Sequence, residues 1–206
     1  MDDSVSMAGT GALNSSRGER MTDFAVVKLE FDETLGYIRQ DLRWLLEKRS
    51  SLNHTIALLI GCGCEMLAAC DGDNKRLGER VFAELLPPRR ELQALADRLY
   101  SALRDGLAHG FDTKHLLVDG TEHQIYLSSL GAQEFTIVRN ERGIGLRIGI
   151  GVLAEGLCAK ITEFEGRLEH DEDARQRFMD ARLRPADLNA TEAAAWRALV
   201  ATHLAV

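Results

Sequence analysis

At 206 residues, with 45% hydrophobic and 28% charged side chains, the chain is long enough for one ordinary domain with a full core. A formal net charge of -7 excludes a surface that seeks nucleic acid over its whole extent, though not a local basic groove. No uninterrupted apolar run approaches the roughly 20 residues that a bilayer span needs.

Residues 1–22, beginning MDDSVSMAGTGALNSSRGER, are small and polar and lack the apolar middle of a signal peptide. They read as a flexible leader or cloning remnant, with Met21 a candidate natural start. The remainder, 23–206, reads as a single domain. It divides into a helical bundle over 30–112, a β-hairpin segment over 113–151 and C-terminal helices over 152–206.

Helical periodicity begins near Phe31, where Leu35, Ile38, Leu42, Leu45 and Leu46 recur at three- and four-residue steps. A break at RSSLN follows, with Ser51 or Asn53 placed to cap the next helix. That helix, HTIALLIGCGCEMLAAC, is apolar on nearly every side and is expected to be central. Gly61 and Gly63 lower its propensity but permit a neighbour to approach closely. Cys62, Cys64 and Cys70 lie on it, where they read as small core residues. Cys158 alone does not complete a zinc set, so the chain is expected to be reduced and cytoplasmic.

DGDN ends that helix, and KRLGERVFAELL forms a short one stopped by Pro87 and Pro88. The next runs from about Arg90, with Leu92, Leu95, Leu99, Leu103 and Leu107 directed inward. After Phe111 the period changes. KHLLVDGTEHQIYLSS carries an Asp-Gly turn signal between apolar runs, and EFTIVRNERGIGLRIGIG has a second turn-like centre. Up to four antiparallel strands are predicted. Helix returns near Val152, with a break around EHDEDA and an end at Pro185. Asn189 or Thr191 caps a last helix whose apolar side holds Trp196, Leu199 and Val200. The fold class is therefore mainly α (α+β): an antiparallel helical bundle with a small antiparallel β-sheet inserted before the C-terminal helices.

Several chemical motifs fail on inspection. RGIGLRIGIG lacks the Lys-Ser/Thr ending of a P-loop and the dinucleotide-fingerprint spacing, and its alternation fits a strand. EHDEDA lacks a calcium-loop ligand order. His115 and His123 flank the predicted hairpin turn but have no fixed carboxylate beside them to complete a metal set. No serine sits in a nucleophile elbow.

Arg104 and His109 remain, in LYSALRDGLAHGF. Arg49–His54 and Arg197–His203 share comparable spacing, so spacing alone decides nothing. Context separates the first pair: it ends a strongly amphipathic helix, with Asp105 after the arginine and Gly110 after the histidine. This segment resembles the hallmark of HEPN domains, the helical higher-eukaryote-and-prokaryote nucleotide-binding group. ALLIGCGCEMLA resembles the preceding buried helix of several HEPN families, with Glu65 as its acidic residue. The resemblance covers about residues 31–112.

The resemblance implies a metal-independent endoribonuclease of the kind found in toxin–antitoxin or antiviral systems, without a cofactor or metal. In that reading RNA supplies the 2′-hydroxyl nucleophile. His109 moves a proton, and Arg104 holds the phosphate. Asp105 positions one of them, and Glu65 orients Arg104 through a buried contact. Arg98 and Lys114, in a basic strip with Arg89 and Arg90, are the candidate substrate-binding residues. Residues 74–115 carry eight Lys or Arg against six Asp or Glu, a net of +2 in an acidic chain. The implied partners are RNA, a second copy in a homodimer, and a cognate antitoxin or regulatory protein; no membrane is implied. The alternative is a non-catalytic HEPN-like module that binds nucleotide, RNA or protein. Under that alternative Arg104 closes a polar contact with Glu65, and His109 caps a helix end.

Overall fold

The computed structural model describes residues 23–48, 52–71, 77–110, 113, 115–128, 135–141, 143–182 and 189–204, without the side chains of 77, 108–110, 199 and 201–204. The expectations for the 1–22 leader, Ser51, the DGDN turn, Lys114 and Pro185 lie outside the described residues, as does the side chain of His109.

The first helix starts at Phe24, about two turns before the stripe read from sequence. Asp23 caps it, its Oδ1 accepting the Ala25 N–H at 2.8 Å. Helix α1 (Phe24–Phe31) passes through a π-helical turn, Asp32–Gly36, into α2 (Tyr37–Glu47). Val27, Phe31 and Leu35 recur every four residues and are fully buried, after which Leu42 and Leu45 continue the buried stripe. The extra residue of the π turn shifts the helical frame and keeps both segments facing one core. A fixed 3.6 period therefore misses the first half.

Helix α3 (Asn53–Asp71) is the centre of the molecule. It packs on α2, α4 (Leu77–Leu85), α5 (Arg90–Gly110), α6 (Ile150–His170) and α7 (Glu172–Arg182). By length and composition it is the one described helix that is apolar enough to cross a membrane; half of that window is buried in the protein interior. Gly61 lies against the Arg104 backbone and side-chain stem, and Gly63 lies against Leu157 and Ile38. A Cβ at Gly63 would stand 2.7 Å from Leu157 Cδ2, so the α3–α6 crossing depends on its absence. Asn53 does not cap this helix: its side-chain amide donates to the Leu127 carbonyl at 3.1 Å and ties α3 to the sheet.

Pro87 and Pro88 follow α4, and Gln93 bonds back to the carbonyls of Ala83 and Leu86 across that corner. Along α5, Leu92, Leu99, Leu103 and Leu107 are buried, but Leu95 is exposed. The stripe is interrupted there because no described element covers that position.

The sheet consists of β1 (Leu116–Val118), β2 (Thr121–Ser128), β3 (Thr136–Asn140) and β4 (Gly143–Gly149) in the order β1-β2-β4-β3. Asp119 and Gly120 both have positive φ, as a two-residue type I′ hairpin requires, so this turn forms where the Asp-Gly signal placed it. The all-antiparallel expectation is corrected: β2 and β4 pair in parallel, with Ile125 opposite Leu146. The chain crosses to the outer edge for β3 and returns through a hairpin. This puts β4, with buried Leu146 and Ile148, between two neighbours and leaves the more polar β3 at the edge. Thr113 closes the α5–sheet junction, donating to the Ile125 carbonyl at 2.9 Å.

The break near EHDEDA is a helix-to-helix junction at Asp171, whose Oδ1 accepts the Ala174 N–H at 2.9 Å. Helix α8 (Ala190–Leu204) carries a capping box: Asn189 Oδ1 accepts from Thr191 and Glu192, and Glu192 accepts the Asn189 N–H. Of the apolar side expected for α8, Leu199 lies outside the described side chains, Val200 is half-buried and Trp196 is not inward. Trp196 is 60% exposed and no described side chain of this helix is buried.

All four cysteines are free thiols. Cys64, Cys70 and Cys158 are buried, whereas Cys62 is exposed and is not a core residue. Burial raises the thiol pKa of Cys64, Cys70 and Cys158, that of Cys70 up to about 12. Under native conditions at pH 8, a thiol reagent is therefore expected to modify Cys62 rapidly and the other three only on unfolding. Mass mapping of the modified peptides checks this, and fast labelling of Cys64 or Cys70 would contradict the packing.

Candidate functional site

The face shared by α3, α4 and α5 gathers five side chains into one linked set. Glu65 lies on α3 one turn after Gly61, and Tyr100 and Arg104 lie one turn apart on α5, so both reach the same carboxylate. The Tyr100 hydroxyl donates to Glu65 Oε1 at 2.7 Å, and Arg104 Nε stands 3.6 Å from the same oxygen. The second distance makes an ion pair without a direct hydrogen bond. Arg104 Nη1 donates to Asp105 Oδ1 at 3.0 Å, and the Ser101 hydroxyl holds Asp105 Oδ2 at 2.9 Å.

The expected buried Glu65–Arg104 contact is therefore corrected in its environment. The partners meet, but their side chains are 44% and 47% exposed. Arg104 has its pKa raised further, first by the Asp105 hydrogen bond, with Glu65 adding to it. A guanidinium offers five N–H groups, and these two contacts leave donors directed outward for an anion.

Sequence reasoning missed Tyr100, Ser101 and Gly78. Of these only Ser101 had a signal, since it precedes its partner Asp105 by four residues on one helix, whereas Tyr100 bonds Glu65 of another helix. Gly78 had none. A Cβ there would lie 2.1 Å from Tyr100 Oη, 2.8 Å from its Cζ and 3.0 Å from Glu65 Cδ. The phenol thus sits directly on the α4 backbone, and the Phe82 ring packs beside it at 5.5 Å between centroids. Burial is the first cause and the Glu65 bond the second of a raised Tyr100 pKa, so the hydroxyl stays a donor at any working pH.

Of the remaining candidates, the His109 side chain and Lys114 lie outside the described residues. His109 lies in the last turn of α5, five residues after Arg104. A regular helix puts its Cα about 140° round the axis and about 7.5 Å further along. Arg98 is exposed on α5, about 120° from Arg104. Arg89 turns to the sheet and donates to the Phe135 carbonyl at 2.8 Å. His115 meets Glu122, while His123 lies beside the Ile144 carbonyl. Among the described residues, no three His, Cys, Asp or Glu groups converge to hold a metal.

The chain matches no family model, no curated protein and no solved structure.

Two consequences follow for stability. Gly78→Ala is expected to destabilise the fold by about 1–3 kcal/mol, since the aromatic ring must move out of a packed site. Arg104→Ala is expected to cost less than about 1 kcal/mol, the worth of an exposed ion pair. Denaturant unfolding of the two variants ranks them, and a larger loss for Arg104→Ala would place that pair in the core.

The raised pKa of Tyr100 fixes a sign at alkaline pH. Its folded pKa lies above the ordinary value of 10.0, so the unfolded chain loses the proton first. Stability from this group is complete below about pH 10 and falls as pH rises beyond it. Tyr100→Phe should flatten that alkaline loss in unfolding curves between pH 9 and 11. An unchanged slope would show that the phenol is not sequestered.

Proposed function

We propose that this chain is a HEPN-like, metal-independent endoribonuclease acting on RNA in the cytoplasm, possessing one Arg104–His109 half-site per copy. The observation that supports it is the half-exposed Arg104 guanidinium, aimed by Asp105 and Glu65 beside the helix turn that carries His109. Such a fork holds a phosphate at two oxygens and stabilises the charge that builds on them as the 2′-hydroxyl attacks. His109 takes up or returns the proton, because an imidazole titrates near neutral pH. Tyr100 and Ser101 are positioning residues: they hold Glu65 and Asp105, which hold Arg104.

The angular separation of Arg104 and His109 on one helix favours a composite cleft. Two copies related by a two-fold axis supply the arginine and the histidine to a phosphate from opposite sides, as an isologous dimer permits. A cognate antitoxin or other regulatory protein would act by covering this face.

One observation favours the second reading, a non-catalytic binding or regulatory module. Two carboxylates, Glu65 and Asp105, already face the Arg104 guanidinium, so an incoming phosphate must compete with both for it. Cleavage and binding separate in one experiment. Mixed RNA and matched DNA are incubated with wild type in chelator. The nuclease reading expects RNA cleavage with a 2′,3′-cyclic phosphate end, intact DNA, and loss of at least about a hundredfold in His109→Ala and Arg104→Ala. RNA bound but uncut by the wild type, or cut equally by the His109 variant, supports the module instead.

A further inference from the structure

Helix α8 and one side of the sheet share an unmet physical requirement. Ten of the fifteen residues of ATEAAAWRALVATHL are apolar, yet none of its described side chains is buried. A helix of this length is marginal in water on propensity and capping alone, and most helical stability comes from packing an apolar face. Ala193, Trp196 and Val200 follow at the i, i+3, i+7 spacing by which a helix seats in a groove.

A groove of matching chemistry lies between α5 and the sheet, a cavity of about 510 Å³. The register of β1, β2, β4 and β3 puts Val118, His123, Ile144 and Ile137 on one face of the sheet. Leu95 of α5 forms the opposite wall. Ile137 is 71% exposed, and Leu95, Val118 and Ile144 are exposed as well, an open apolar run that the bundle does not cover. Two other surface cavities are lined chiefly by charged side chains: one by Asp71, Arg80, Glu84 and Lys160, the other by Asp32, Glu33, Arg39 and Arg43. Neither suits an indole. Arg89 and Glu91 stand at the rim of the apolar groove, and Glu192 and Arg197 flank Trp196 on α8, so both surfaces carry one charge of each sign. Arg182, the last described residue before α8, pairs with Glu30 of α1, and neither α1 nor α7 borders the groove.

We propose that α8 of one copy of this chain docks in the groove between α5 and the sheet of a second copy, with Trp196 as its anchor. An indole buries roughly 150–250 Å² and is a common anchor of such contacts. The contact is separate from the Arg104–His109 face, so its failure leaves the nuclease reading standing, and the reverse.

The test uses the full chain carrying Trp44→Phe, which leaves Trp196 as the reporter of the chain's two tryptophans. Dilution from high to low micromolar concentration is followed by light scattering and by indole emission. The proposal expects self-association and a blue-shifted emission that red-shifts together with dissociation. Trp196→Ala, measured by scattering alone, and Ile137→Asp should each weaken association by roughly thirtyfold. Both sites are exposed, and circular dichroism confirms that the fold survives. Three results overturn the proposal: a monomer with solvent-exposed emission at every concentration, a blue-shifted indole in a protein that stays monomeric, or association that neither substitution weakens. RNA cleavage assayed on the same samples reads the Arg104–His109 reading independently.

Discussion

The packing of α3 into every layer around it is the constraint on which the rest of this structure depends. A helix that is apolar on nearly all sides has no solvent face to offer, so its neighbours must surround it. Five other helices and strand β2 do so. Small residues set how closely they approach: Gly61 admits the α5 backbone at Arg104, and Gly63 admits Leu157 of α6. The same close approach brings Glu65, the helix's one acidic residue before its terminal Asp71, level with Tyr100 and Arg104. Core packing and the candidate site are consequences of one helix crossing.

That crossing also explains the graded environment of the site. Tyr100 is pressed onto Gly78 and kept from water, while Arg104, one turn further along α5, stands at the edge. The buried phenol fixes the carboxylate, and the fixed carboxylate orients an arginine that still meets solvent. A fully buried Glu65–Arg104 pair would carry a desolvation penalty and would be closed to any anion. Partial exposure lowers the contribution of the pair to stability and keeps the guanidinium accessible.

The sheet solves a different problem. Its apolar face has one half covered by the bundle, through Ile125, Phe135, Leu146 and Ile148, and one half left open. Placing β4 in the middle satisfies its backbone on both sides, at the cost of a crossover that joins β2 and β4 in parallel. The open half remains beside an exposed Leu95, and a C-terminal helix with exposed Trp196 extends from the same chain. Both surfaces are apolar, and among the described residues of one copy neither is covered.

What the sequence determined by itself was local. The three- and four-residue steps of Leu35 to Leu45, the Asp119-Gly120 turn, the alternation of Ile144, Leu146 and Ile148, and the Asn189 cap each depend on residues a few positions apart. The helices and the first hairpin were legible for that reason. Glu65 and Arg104 meet as expected, though not buried as expected. The order of the strands, the exposure of Leu95, Cys62 and Trp196, and the seating of Tyr100 on Gly78 were decided only by tertiary structure. Each depends on whether a segment distant in sequence arrives to cover a given side chain, and local periodicity gives a helix an apolar side without specifying what packs against it.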